Sequence, residues 1–315
     1  MADSDLSERQ GFVRVDNNPE PDNADIIWFE GIAGRRLRAC IAPSFRPTPR
    51  GTAIICPGRT EFIEKYFETA RELQQRGFAI VILDWPGQGL SERLLDDRSK
   101  GHIDRFETFM GALRNGLDAL EGRLPRPYVS VAHSMGGAIA LAAIAQKLVR
   151  VEAAAFTAPM WGLPVNLAVR YVIWAMRAMG RSNDFARQPG PPEKFDGNIV
   201  THDEIRWQLQ RNLIDAAPEL ELGPVTWGWL GASLDILNTT TKPGLLRGID
   251  IPVFVASASE EKLVDNKAHA RVAKHLPHCT HVTIDGARHE ILMETDAVRQ
   301  QFWAGFDALM RTADI

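Results

Sequence analysis

Short, almost wholly apolar runs alternate with longer stretches of mixed polarity through the first half of this chain. Residues 52–56, 78–83, 128–132 and 153–157 are apolar at nearly every position, where a half-exposed strand would be apolar only at every second one. Such runs predict strands covered on both faces. Residues 62–75, 105–120 and 137–149 lie between or after them and read as helices. Strand and helix in alternation predict a parallel sheet with helices on both sides. Ahead of it, residues 26–29 and 37–41 are β-rich, and Gly31 and Gly34 between them can supply a turn, so an antiparallel hairpin is expected at the sheet edge. Residues 1–23 are polar and acidic with Pro19, Glu20 and Pro21, and are expected to form a poorly ordered lead-in.

The alternation breaks at about Pro159. Proline and glycine clusters such as Pro189-Gly190-Pro191-Pro192 and helix-like segments replace strands until about Ile249. Strand, helix, strand and helix then resume over 252–256, 266–275, 281–284 and 297–310. This order divides the chain into a first core part (1–158), an inserted helical cap (159–249) and a second core part (250–315). No internal repeat or low-complexity tract interrupts it.

Composition narrows the class. A chain of 315 residues with 45% apolar and 24% charged residues can bury a large core. The net charge of −4 offers no cationic footprint for nucleic acid. Three cysteines, Cys40, Cys56 and Cys279, cannot all pair within one chain, and two of them sit in apolar strand-like runs, so a reducing compartment is expected. The N-terminus carries acids where a secretory signal needs a basic region. No run reaches the ~20 apolar residues that span a bilayer; the nearest, around Tyr171 to Met179, is interrupted by Arg177. These features predict a cytoplasmic protein that can still touch membrane surfaces.

The strand ending at Ala132 runs directly into His133-Ser134-Met135-Gly136-Gly137 and an alanine-rich helix. This is the strand, turn and helix context of a GxSxG nucleophile elbow, with alanine in place of the first glycine. A serine on so tight a turn needs small neighbours two residues away on each side, and Ala132 and Gly136 satisfy that. A serine that merely caps a helix is the bland alternative. With this motif the chain resembles the α/β-hydrolase superfamily, which implies a mostly parallel sheet with helices on both faces and an inserted helical cap.

That resemblance implies the order serine, acid, histidine. Ser134 would be the nucleophile and His289, in the loop after 281–284, its base; His269 and His275 fall in a helix and His281 starts a strand. His133 should point away from the serine. The acid is expected after 252–256, where relatives resembling this stretch carry aspartate at the position of Glu261, so Glu261 is the implied acid and Asp265 the second choice. The implied oxyanion-hole donors are the backbone N–H groups of Met135 and Arg59, although Pro57 stands where many relatives have histidine.

Other signals are weaker. Gly87-Gln88-Gly89 follows a strand but has Glu92 where a dinucleotide fingerprint needs its third glycine. His275, His278, Cys279 and His281 could bind metal, yet Pro277 interrupts them and they straddle a helix end and a strand. No cofactor and no metal is expected.

Five of the eight tryptophans, Trp161, Trp174, Trp207, Trp227 and Trp229, lie in the insert with Met160, Met176 and Met179. The run 163–179 would suit a helix lining an acyl-chain cleft, with Trp161, Trp174 and Met176 as substrate contacts, or equally one packing the cap onto the core. Pro57 to Tyr66, Asp84 to Ser91, Ala132 to Gly137 and Gly286 to Met293, with Asn198 to Asp203 and Thr226 to Trp229 in the cap, narrow the resemblance to bacterial lysophospholipases and monoacylglycerol lipases. It implies a serine esterase acting on a single-chain lipid ester, lysophospholipid or monoacylglycerol, through an acyl-enzyme. Aminopeptidase activity, with Asp203, Glu204 or Glu219 holding an α-ammonium, another small-molecule esterase of the same fold, and a non-catalytic binding protein on the same scaffold remain the alternatives.

Overall fold

A computed structural model describes residues 11–191 and 194–315. Among them, eight strands form one sheet. Strands β1 (Asp25–Glu30) and β2 (Arg36–Ala42) pair antiparallel, and β2 pairs antiparallel with β4 (Phe78–Leu83). From β4 the sheet continues through β3 (Gly51–Cys56), β5 (Tyr128–His133), β6 (Ala153–Thr157), β7 (Val253–Ala258) and β8 (Cys279–Ile284), every pairing parallel. The apolar runs of the sequence therefore become central strands, and the expected hairpin is the antiparallel edge.

Successive residues of those runs serve opposite faces. Ala53 and Ile55 join the core under α1 (Phe67–Gln75) and α9 (Asp296–Thr312). Ile54 joins the core under α2 (Glu107–Leu120), α3 (Ser134–Ala145) and α8 (Asn266–Ala273). Two buried faces require apolar residues at consecutive positions, which explains the absence of alternation. The chain reverses its direction across the sheet after β3, with β4 on one side and β5 on the other. Loops after β3 and β5 thus emerge side by side, the usual place for a site in an open α/β sheet.

Between β6 and β7 the chain makes α4 (Leu167–Ala178), α5 (Glu204–Ala216), α6 (Trp227–Thr240) and the short α7 (Pro243–Leu246). Asn166, Asp203 and Thr226 cap α4, α5 and α6 by accepting backbone N–H groups of their first turns, as short polar side chains do at helix starts.

The lead-in differs from expectation over residues 11–23, while residues 1–10 lie outside the described residues. Val13 is buried beside Phe62, Leu90 and Leu213. Phe12 meets Phe67 edge-on at 5.1 Å. The Val13 N–H donates to Glu64 Oε1 at 3.0 Å, and the Asn18 side-chain amide donates to the Glu64 carbonyl at 2.9 Å. A few apolar residues and an anchoring carboxylate fix this segment in spite of its polar composition.

Candidate active site

Strand β5 delivers Ser134 onto a turn with φ of +48°, a left-handed conformation that costs energy in a non-glycine residue and projects the side chain out of the sheet. Tight packing permits the turn: a Cβ on Gly136 would lie 2.1 Å from the Cys56 carbonyl oxygen, so only glycine fits there. The Met160 N–H donates to the Ser134 carbonyl at 2.8 Å and braces the turn from the loop after β6.

The loops after β7 and β8 complete a line of hydrogen bonds. His289 Nε2 is 2.9 Å from Ser134 Oγ, and His289 Nδ1 is 2.7 Å from Glu261 Oε2. A carboxylate only accepts, so Nδ1 carries the proton and Nε2 is left to accept from the serine hydroxyl. The other Glu261 oxygen accepts from the N–H groups of Leu263 (2.7 Å) and Val264 (3.2 Å). Burial tends to raise the Glu261 pKa, but the His289 hydrogen bond and charge and these two N–H groups together hold it below its ordinary value. Asp265 instead caps α8 through the Lys267 N–H and pairs with Arg271. Of the two candidate acids, Glu261 is the one that meets the histidine.

His133 turns away from the serine, with Nδ1 3.1 Å from the Thr157 carbonyl. Burial lowers its pKa to about 4, so it is neutral at physiological pH. At the start of α3 the Met135 N–H belongs to a first turn that lacks intrahelical acceptors. Among the described residues the Arg59 N–H meets no acceptor either. Cys56 and Ala132, from which the two loops depart, are register partners on β3 and β5.

A buried ionic cluster behind the β3 loop is not legible from any single motif. Lys65 Nζ lies 2.8 Å from Glu61 Oε1 and 2.7 Å from Glu290 Oε1, and donates to Gln210 Oε1 of α5 at 2.8 Å. Glu61 Oε2 accepts from the Gly58 N–H and from Tyr66 Oη. Burial opposes the Glu61 charge, but Lys65, His133 and Tyr66 outweigh it and hold the pKa at about 2. One ammonium thus ties the β3 loop to the residue after His289 and to the insert. A second cluster, Arg38 between Glu64 and Asp84, fixes the start of the helix after that loop: Asp84 Oδ1 accepts the Ile63 N–H at 2.9 Å. The only sequence signal for either cluster is the charge density of residues 61–65 within an apolar surround.

The expected substrate contacts separate. Trp161 is enclosed in the core, donates to the Gly137 carbonyl at 3.1 Å, and packs on Phe156 and His269; it supports the elbow helix. Trp174 is 63% exposed and lies beside Tyr171 on α4. Met176 is partly buried. Within the run 163–179, Leu163 packs against the core and Ile173 is the one buried residue of α4, while Leu167, Val169, Tyr171, Val172 and Trp174, with Met179 just beyond, face solvent. Two of the residues weighed for metal take other partners: His281 meets Ser257 and His278 meets Asp250. No helix among the described residues is long and apolar enough to cross a membrane.

Known proteins share this arrangement of chain. The family model described as serine aminopeptidase, S33, matches residues 47–296. Lysophospholipase L2 of Escherichia coli K12 is 32% identical over 262 residues, covering 78% of this chain and 76% of the relative. Phospholipase YtpA of Bacillus subtilis is 23% identical over 222 residues, covering 69% of this chain and 78% of its own. Among solved structures, a soluble variant of the Saccharomyces cerevisiae monoglyceride lipase superposes with a TM-score of 0.72 at 16% identity, over 92% of this chain and 96% of that one. A Bacillus coagulans carboxyl esterase does so at 0.73 and 16% identity, over 93% and 99%. By the extent of these matches, the chain has the α/β-hydrolase fold, belongs to the family described as serine aminopeptidase, S33, and is similar to lysophospholipase L2 within it.

Proposed function

We propose that this carboxylic ester hydrolase cleaves the acyl ester of single-chain lipids, lysophospholipid or monoacylglycerol, through an acyl-enzyme on Ser134. The observation that carries the reading is the unbroken line from Ser134 Oγ through His289 to Glu261. In the proposed reaction His289 Nε2 takes the hydroxyl proton as Oγ attacks the ester carbonyl. The N–H groups of Met135 and Arg59 receive the charge that develops on the carbonyl oxygen. The imidazolium, steadied by Glu261, then gives its proton to the departing glycerol oxygen. Water repeats the sequence on the acyl-serine and releases a fatty acid. None of these steps calls on a metal or cofactor.

The names of the relatives supply the lipid, and α4 supports it. Its apolar residues face outward beside Arg170, while Arg177 and Arg181 are paired with Asp235 and Asp184. An apolar helix face with tyrosine, tryptophan and arginine suits the lipid interface, where the rings sit at headgroup depth and arginine meets anionic lipid. We assign this face to peripheral contact with the surface from which the substrate comes. An aminopeptidase would need a carboxylate for the α-ammonium; of the three weighed for it, Asp203 is occupied by Arg206 and by its own helix cap.

Turnover of p-nitrophenyl esters of graded length, lysophosphatidylcholine, monoacylglycerol and an aminoacyl amide tests the reading. Long-chain esters should be cleaved with kcat/KM rising with acyl length, since each buried methylene contributes ~0.8 kcal/mol. A flat or falling series below the micelle concentration, or faster cleavage of the amide, would overturn it. Labelling by a fluorophosphonate probe separates an active serine from a non-catalytic scaffold.

A further inference from the structure

The guanidinium of Arg59 is buried without a counter-charge. Its side chain leaves the β3 loop and enters the seam between that loop and the segment leading into α6. There Nη2 donates to the Gly223 carbonyl, and the guanidinium lies 5.7 Å from the ring centroid of Trp229. A Cβ on Gly101 would come within 2.3 Å of Nη2. Nε is enclosed and has no acceptor, and among the described residues no carboxylate pairs with Arg59. Burial alone lowers its pKa to about 10, so it remains a cation at neutral pH. The residue as a whole keeps partial exposure.

Other covered arginines of the chain are treated differently. Arg38 is held between Glu64 and Asp84, and Arg299 between Glu68 and Glu72. The covered arginines without a carboxylate partner among the described residues gather where Arg59 lies, although Arg38 too has an enclosed Nε with no acceptor. Arg93 donates to the carbonyls of Glu219 and Glu221, just before Gly223, and its Nε and Nη1 have no acceptor. Burial, and after it the charge of Arg98, lowers the pKa of Arg93, and Arg98 also has an enclosed donor unfilled. A charge taken out of water needs an opposite charge or several acceptors, and a buried donor left unpaired is costly. The segment 219–223 thus meets two arginines, Arg59 and Arg93, through carbonyls, with the Nε of each enclosed and unfilled, and Arg59 belongs to the loop that carries the proposed oxyanion donor.

We propose that Arg59 receives the phosphate group of the substrate, and that this site accordingly favours lysophospholipid over monoacylglycerol of the same acyl chain; the proposal rests on the reading of the site given above. Guanidinium is well suited to a phosphate because its planar fork offers paired donors. The reach agrees. In a 1-acyl lysophospholipid the ester carbonyl carbon and the phosphorus are separated by as many bonds as the backbone nitrogen and Cζ of an arginine. A substrate with its carbonyl oxygen at the Arg59 N–H can therefore carry its phosphate back along the Arg59 side chain.

Two sets of measurements test this. In the wild-type protein, sn-glycerol 3-phosphate and glycerophosphocholine should inhibit ester hydrolysis competitively and raise Tm, while glycerol at the same concentration does neither. Inorganic phosphate should act more weakly than the glycerophosphodiester; if inorganic phosphate alone acts, the seam holds a free anion and the substrate assignment falls. Arg59→Met should weaken inhibition at least tenfold and cut kcat/KM for lysophosphatidylcholine at least tenfold more than for monoacylglycerol, with Arg59→Lys between it and wild type. Equal losses on both lipids, or no effect of either glycerophosphate on the wild type, would overturn the proposal. A Tm shift with glycerol 3-phosphate in a protein that cleaves neither lipid would instead sink the ester reading and leave the anion site standing.

Discussion

Glu261 Oε2 lies 2.7 Å from His289 Nδ1 although the two residues are carried by loops after different strands. The carboxylate spends its other oxygen on two backbone N–H groups, so it is held in place before the imidazole becomes charged. Glu261→Ala should lower kcat by up to ~10⁴-fold, the scale of triad-acid losses. Asp265→Ala should cost only the stability of a helix cap, about 1 kcal/mol. Steady-state kinetics of the two variants decide between the acids; a crippled Asp265→Ala beside an active Glu261→Ala would reverse the assignment.

Ser134→Ala and His289→Ala should each remove most ester turnover, and the double variant should be hardly worse than either, because nucleophile and base act as a unit. Activity of Ser134→Ala within tenfold of wild type would end the acyl-enzyme mechanism.

Glu61 accepts the Gly58 N–H immediately before the proposed oxyanion donor. Glu61→Gln replaces an anion beside Lys65 and Tyr66 with a neutral amide and should let that loop shift. A displacement near 1 Å costs up to ~10²-fold in rate, so kcat should fall with little change in KM. A variant altered in KM alone would place Glu61 outside the support of the transition state.

Burial lowers the pKa of His133 and His269 from 6.5 to about 4 each. Folded histidines with depressed pKa bind fewer protons than unfolded ones between these values. The stability they contribute is therefore complete above pH 6.5 and is lost as pH falls through 4, at no more than about 1.4 kcal/mol per pH unit for each. Tm followed from pH 7.5 to 4 should decline below 6.5. His269→Gln, which can still donate to the Pro159 carbonyl, should reduce the slope; an unchanged slope would remove His269 from this account.

Trp174 is exposed beside Tyr171 on a helix without acidic residues, where Arg170 is unpaired among the described residues and Arg177 pairs with Asp235. Trp174→Ala should leave Tm nearly unchanged and weaken binding to anionic lipid vesicles, with the activity loss confined to long-chain substrates presented on a surface. Equal losses on acetate esters would assign Trp174 to cap packing.

Much of this architecture is local information. Residues 52–56 and 128–132 are apolar at consecutive positions because helices cover both faces of their strands, and Ala132 to Gly137 spell a turn whose steric demands act within a few residues. The meeting of Ser134 with His289 is therefore legible from pattern, motif and chain order, and that of His289 with Glu261 only with the help of resemblance. What the tertiary structure decided depends on residues distant in the chain. Lys65 meets Glu290 and Gln210, Arg59 meets Gly223 and Trp229, and no spacing along the sequence encodes such meetings. Residues 11–23 of the lead-in depart from the poor order their composition predicts for the same reason: Phe12 and Val13 dock onto Phe67 and Phe62, a surface that exists only after folding. Helix α4 is the clearest case. Its apolar residues read identically whether a neighbour covers them or not, because periodicity states which residues share a face, and only the packed chain determines what that face meets.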